Sequence, residues 1–224
     1  MVVDVALAQT GLERLEEVKM KLPESEAQMH GGQSVDFEDE WDGLSREEML
    51  IGLSYALKLL CHKNDRVWQG LNASNFRQLA VFCSSQRQKF DITFYLQRFS
   101  RYMNCSNIVF VAAFALLDLA QRRHPAMAVN SFNVHRLFTA AVVLAAKFLD
   151  DDVYTNRYYG QIAGVRSVHE MNALELQMLG LLGWNVNISP RTLRYYSGYL
   201  RLADRAALKE QQASRVLPLG CQDG

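Results

Sequence analysis

Two stretches, NIVFVAAFALLDLAQR at 107–122 and FNVHRLFTAAVVLAAKFLD at 132–150, carry apolar residues nearly all the way round a helix. A helix with almost no polar face has to be surrounded by protein, so both belong at the centre of a helical domain. Their alanines (Ala112, Ala113, Ala140, Ala141, Ala145, Ala146) let neighbouring helices approach closely.

The rest of the chain supplies the wrapping. Helical periodicity predicts further helices at about 45–62, 74–85, 92–103, 156–163, 168–183 and 190–202, with room for a last one before Pro218. In 92–103, Ile92, Tyr95, Leu96, Phe99 and Tyr102 recur at three- and four-residue steps. Start signals agree with these positions: Ser45 with Glu48 and Ser167 with Glu170 each form a capping box, and Ser189-Pro190 opens a helix. The linkers are short, and no convincing strand pairs occur. The reading is all-α: a five-helix bundle with flanking N- and C-terminal helices.

Upstream, Thr10 with Glu13 caps a helix at about 11–22 that Pro23 ends. The following stretch holds Gly31-Gly32 and the acids Asp36, Glu38, Asp39, Glu40 and Asp42, and it reads as a flexible linker. Three segments are therefore expected: an N-terminal helix and acidic linker at 1–43, a domain at 44–203, and a tail at 204–224.

Composition narrows the function classes. Of 224 residues, 49% are hydrophobic and 21% charged, a globular balance, and 24 basic residues match 24 acidic ones. Zero net charge with no basic stripe leaves no footprint for nucleic acid or an anionic membrane. No apolar run approaches the roughly 20 residues that span a bilayer, and the N-terminus lacks the basic and apolar regions of a secretory signal. The cysteines Cys61, Cys83, Cys105 and Cys221 are scattered, which suits a reduced, intracellular protein, cytoplasmic or nuclear. The sequons at Asn72, Asn104 and Asn187 are then chance. No histidine pairs at i, i+4, and phosphate loops and nucleophile elbows are absent, so neither catalysis, a metal, a cofactor nor a small-molecule substrate is expected.

Two charges stand out. The stripe Leu137, Ala140, Leu144 continues to Lys147, and the stripe Val168, Met171, Met178, Leu182 has Glu175 in its middle. Such residues rarely sit deep in apolar stripes unless paired or used. Either the two form a structural ion pair between neighbouring helices, or both edge a groove that binds another protein's backbone. The two readings are compatible.

Beside them, Asp150, Asp151 and Asp152 close a helix whose C-terminal dipole disfavours acids by a few tenths of a kcal/mol each. They are either a solvated end or an acidic cluster for a partner's basic groups. Tyr154, Tyr158 and Tyr159 lie at helical spacing next to these acids, where packing is the default role and a contact surface the alternative.

The stretch SFNVHRLFTAAVVLAAKFLDDDVYTNRYYGQIAGV, followed by EMNALELQMLGLLGWNVNISP, resembles the cyclin box of the P/U-type cyclins, a group that includes the yeast phosphate-signalling cyclin. DITFYLQRFSRYMNCSNIVFVAAFALLDLAQRR resembles the first two box helices, and HKNDR at 62–66 the end of the helix before them. The likeness covers about 45–190 and implies a single cyclin box, with 190–203 packing onto it.

The resemblance also implies a function: a regulatory subunit, not an enzyme, that binds a cyclin-dependent serine/threonine kinase and holds its C-helix in the active position. The family's lysine and glutamate at the centre of the kinase contact match Lys147 and Glu175, with Phe148, Asp150, Asp151 and Tyr158 expected around them. The MRAIL-type substrate-docking motif of A-type cyclins is not found at 92–103. A cyclin-fold scaffold or transcription-related protein without a kinase-activating role is the alternative.

Overall fold

The computed structural model describes residues 44–68 and 79–216. Among them are seven α-helices and no strand: α1 (Arg46–Asp65), α2 (Ile92–Tyr102), α3 (Asn107–Arg123), α4 (Val134–Leu149), α5 (Asn156–Ala163), α6 (Val168–Leu181) and α7 (Pro190–Val216). Short 3-10 turns lie at Ala80–Phe82 and Pro125–Met127. The helix expected at 11–22 and its linker lie outside the described residues, as do residues 74–78 of the one expected at 74–85, whose described part after Leu79 is not α-helical. Of the latter, the described end is the turn containing buried Phe82.

The two apolar helices are central, as their composition requires. α3 buries an unbroken run from Val109 to Asp118, and α4 one from Leu137 to Ala146. Their alanines are almost fully buried, and the two helices pack extensively on each other. Phe99, Phe110 and Phe138 fill the space between α2, α3 and α4 with edge-on and stacked ring contacts.

The start of α1 is a complete capping box. Ser45 Oγ accepts from the Glu48 N–H at 3.2 Å, and a Glu48 carboxylate oxygen accepts from the Ser45 N–H at 2.8 Å. At α6 only half the box forms. Ser167 Oγ accepts from the Glu170 N–H, but the Glu170 carboxylate turns to the Arg166 N–H and to Arg136 of α4, 2.7 Å away. An ion pair between helices has displaced the local return bond. At the other end of α1, Asn64 donates to the Val129 carbonyl, and Asp65 accepts from both the backbone and hydroxyl of Ser131. Those two residues of HKNDR fasten α1 to the turn that enters α4.

The C-terminal helix differs from expectation. The segment placed at 190–202, and the separate helix allowed before Pro218, are one helix of 27 residues. The boundary expected at 203 falls inside it, because its buried face continues through Ala203, Asp204 and Ala207. Its most extensive contact is with α1 rather than with the five-helix bundle. At the crossing, a Cβ on Gly52 would lie 2.1 Å from the Leu200 carbonyl oxygen, so only glycine permits that approach. Further along, burial and Glu210 push the Tyr55 phenol up to about 12.

α7 also meets α3. Tyr196 donates to the buried carboxylate of Asp118 at 2.6 Å, and Arg122 holds the same oxygen. Where the chain leaves α6, Gly183 and Trp184 both take left-handed backbone, with φ of 60° and 61°. Trp184 is 69% exposed there.

Candidate functional site

Lys147 occupies the last turn of α4, and Glu175 the middle of α6. The stripe argument needs correcting at both. On α6 the buried positions are Met171, Leu174, Met178 and Leu181, so Leu174 takes the core position and Glu175 stands beside it. On α4 continuous burial stops at Ala146, and Lys147 begins the exposed turn. Both charges sit at the edge of the core, where α4 and α6 pack together.

They are paired. Lys147 Nζ donates to Glu175 Oε1 at 2.6 Å and to Oε2 at 2.8 Å. The lysine side chain keeps 32% of its surface exposed and the glutamate 16%. Each is followed in sequence by a large apolar residue turned outward: Phe148 is 49% exposed and Leu176 52%. An ion pair flanked by exposed apolar side chains combines the ingredients of an interface centre: directional bonds and area to bury.

A third residue completes the arrangement. Asn156, at the start of α5, donates through Nδ2 to Glu175 Oε2 at 2.6 Å and to Asn172 Oδ1 at 2.7 Å. Neither asparagine was singled out from the sequence. Asn172 lies three residues before Glu175 on the same helix face, a spacing that could have flagged it. Nothing in spacing or composition points to Asn156.

The neighbouring acids separate. Asp151 and Asp152 are exposed after α4. Asp150 instead turns back to the start of α3, where Ser106, the residue before its first turn, donates its hydroxyl to Oδ1 at 3.4 Å. The α3 N-terminus thus supplies the compensation that the end of α4 lacks. Desolvation still outweighs the Ser106 bonds and holds the Asp150 carboxyl above its ordinary value, with Asp151 adding to the rise.

Tyr158 is half-buried. Its hydroxyl donates to the Tyr102 carbonyl at 2.9 Å, and its ring lies 4.5 Å from that of Tyr154. The Tyr154 N–H donates to the hydroxyl of buried Tyr159. The tyrosines therefore brace α5 against α2 and the preceding loop, and Tyr158 offers only part of its surface.

Two polar clefts, of about 560 and 450 Å³, flank the segment 84–91 on another part of the molecule. They do not include Lys147 or Glu175. Among the described residues no group of three or more His, Cys, Asp or Glu side chains could hold a metal ion, and no helix is long and apolar enough to cross a membrane.

Comparison with known proteins bears on this site. The cyclin family model matches residues 47–186. Cyclin-U4-1 of Arabidopsis thaliana is 40% identical over 154 residues, which cover 69% of this chain and 75% of the relative. Cyclin-U4-3 of the same plant is 35% identical over 153 residues, covering 68% and 67%. Cyclin-P4-1 of Oryza sativa subsp. japonica is 39% identical over 127 residues, covering 57% and 59%. The matched span runs from the first turn of α1 to just past α6 and includes Lys147, Asn156 and Glu175.

Proposed function

This chain belongs to the cyclin family, with relatives among the plant U- and P-type cyclins, and we propose that it binds and activates a cyclin-dependent serine/threonine kinase through the groove centred on Lys147 and Glu175. A cyclin regulatory role follows from the family; the kinase contact is the finer reading. The protein contributes a surface rather than an active site, and the kinase supplies the chemistry. We also place its action in the cytoplasm or nucleus, where such kinases work.

The observation that carries the reading is the half-open ion pair. An ammonium has three N–H donors, of which Lys147 spends two on Glu175. A carboxylate has about four acceptor positions, and Glu175 fills three with Lys147 and Asn156. Among the described residues, nothing takes the one donor and one acceptor that remain. A backbone segment of a kinase offers the complement, one carbonyl and one N–H, and exposed Phe148 and Leu176 provide apolar surface to seal the contact from water. Asp151 suits a basic side chain at the rim, while Asp150 and Tyr158 act mainly from behind through Ser106 and Tyr102.

The test is retention of the host's cyclin-dependent kinases on the immobilised full chain, followed by assay of the eluted complex on a histone-type substrate. Retention with stimulated phosphorylation supports the reading. If no kinase is retained, the reading falls and a cyclin-fold scaffold or transcription-related role takes its place.

A further inference from the structure

Glu175 carries its charge on a side chain with three rotatable bonds, yet a groove built around it works only if the carboxylate stays in one place. Lys147 alone does not ensure that, because a lysine stem follows a moving carboxylate. Asn156 comes from a different helix, α5, and its short side chain cannot follow. Its Nδ2 bonds to Glu175 Oε2 at 2.6 Å and to Asn172 Oδ1 at 2.7 Å, which uses both amide protons.

The amide orientation follows from its partners. Both atoms facing Nδ2 are acceptor oxygens, so the reversed amide would set oxygen against oxygen at the same distances. The choice has a cost: Asn156 Oδ1 is buried with no partner among the described residues. A buried acceptor left unpaired is unfavourable and calls for an explanation. The amide is oriented for its donors, and those donors hold the groove.

We propose that Asn156, backed by Asn172, is a positioning residue that clamps the Glu175 carboxylate and so fixes the Lys147–Glu175 pair in the geometry its partner meets. The clamp ties three helices at one point: α4 through Lys147, α5 through Asn156, and α6 through Asn172 and Glu175. It deepens the proposed function, on which its consequence for kinase binding rests; the clamp itself is a property of the free protein.

The experiment therefore has two arms, each run on the full chain as wild type, Asn156→Ala, Asn172→Ala and Asn156→Asp, with folding checked by circular dichroism. In the first arm, without kinase, the Lys147 ammonium is followed by ¹H–¹⁵N NMR. Wild type is expected to show a slowly exchanging signal, and both alanine variants a signal weakened by rapid exchange. Asn156→Asp is the readout that a merely structural role would not move. At about pH 8 two carboxylates facing each other repel and the clamp is open. Towards about pH 5 the pair shares a proton, the acid donates to its neighbour, and the signal recovers relative to wild type at the same pH.

In the second arm, affinity for a retained kinase is expected to fall about tenfold or more in the alanine variants. Asn156→Asp should regain affinity as pH falls, in step with the NMR signal. An Asn156→Ala protein that keeps the wild-type Lys147 signal overturns the clamp, as does an Asn156→Asp protein whose signal shows no pH dependence relative to wild type. If wild type retains no kinase, the functional reading fails and the first arm alone decides the clamp. If the signal is lost in Asn156→Ala while kinase affinity stays within about twofold of wild type, the positioning role in binding is overturned.

Discussion

Lys147 and Glu175 make two short hydrogen bonds to each other while both side chains stay in partial contact with water. The pair therefore has two different values. Within the free protein it is a part-exposed ion pair, worth about 0–1 kcal/mol. At an interface that excludes water, each member left without the other is costly.

Substituting either residue should separate those values. Lys147→Ala and Glu175→Ala are each expected to weaken kinase binding by about 2 kcal/mol or more, the scale of interface hot spots. Thermal denaturation of the free variants should show a stability loss of only about 1 kcal/mol. Calorimetry finding wild-type affinity in both folded variants would remove the pair from the interface.

Gly52 makes the opposite prediction, a large effect on stability at the α1–α7 crossing. Gly52→Val would force the α1 and α7 backbones apart at Leu200, at a cost of about 2–3 kcal/mol or more, since overpacking against backbone relaxes poorly. Chemical denaturation would register this as a lower midpoint. A midpoint unchanged from wild type would mean that the helices are not held at that separation.

Tyr196→Phe removes one hydroxyl from the buried Asp118 carboxylate and leaves Arg122 in place. Loss of a hydrogen bond to a charged acceptor should cost about 1.5–3 kcal/mol, read as a fall in unfolding free energy. A neutral result would mean that the Tyr196 hydroxyl contributes nothing to the hold on Asp118.

Asp204 predicts a pH dependence. Desolvation above all, then Glu48 and Glu47, holds its carboxyl above the ordinary carboxylate range, against a smaller pull from Arg205. The folded protein thus binds that proton more tightly than the unfolded chain. The associated stability is complete below the unfolded pKa and is lost as pH rises through the folded one. Asp204→Asn discards the charge and keeps the shape, so its Tm should exceed that of wild type at neutral pH. The gain should shrink as pH falls through the raised folded value towards the ordinary carboxylate range, as wild type takes up the same proton. A neutral-pH Tm at or below the wild-type value would contradict this.

Much of the architecture was legible from the chain. Where helices have almost no polar face, as in α3 and α4, sequence alone dictates central burial, and Ser45 and Pro190 mark helix starts to within a residue. The length of α7 was not legible, because its partner is α1, far away in sequence, and no local pattern announces a long-range contact. The place of Glu175 was legible only to within one residue. From Met171 a step of three reaches Leu174 and a step of four reaches Glu175; both lie beside the same stripe, and Leu174, not Glu175, faces the core. Asn156 was invisible for a different reason: its role exists only where three helices meet.

The pairing of α1 with α7 bears on how the domain is made. Gly52 and Leu200 stand about 150 residues apart along the chain, and closing so long a loop costs little more in stability than closing a short one. It costs time instead. A growing chain emits about 5–20 residues each second, so the face of α1 around Gly52 is naked for on the order of ten seconds before its cover leaves the ribosome. Locally wound helices will be ready long before then. The Gly52 face of α1 waits longest for its cover, although α2 and α3 pack on the same helix earlier, and that interval is when nascent chains of this protein are most exposed to chaperones and to one another.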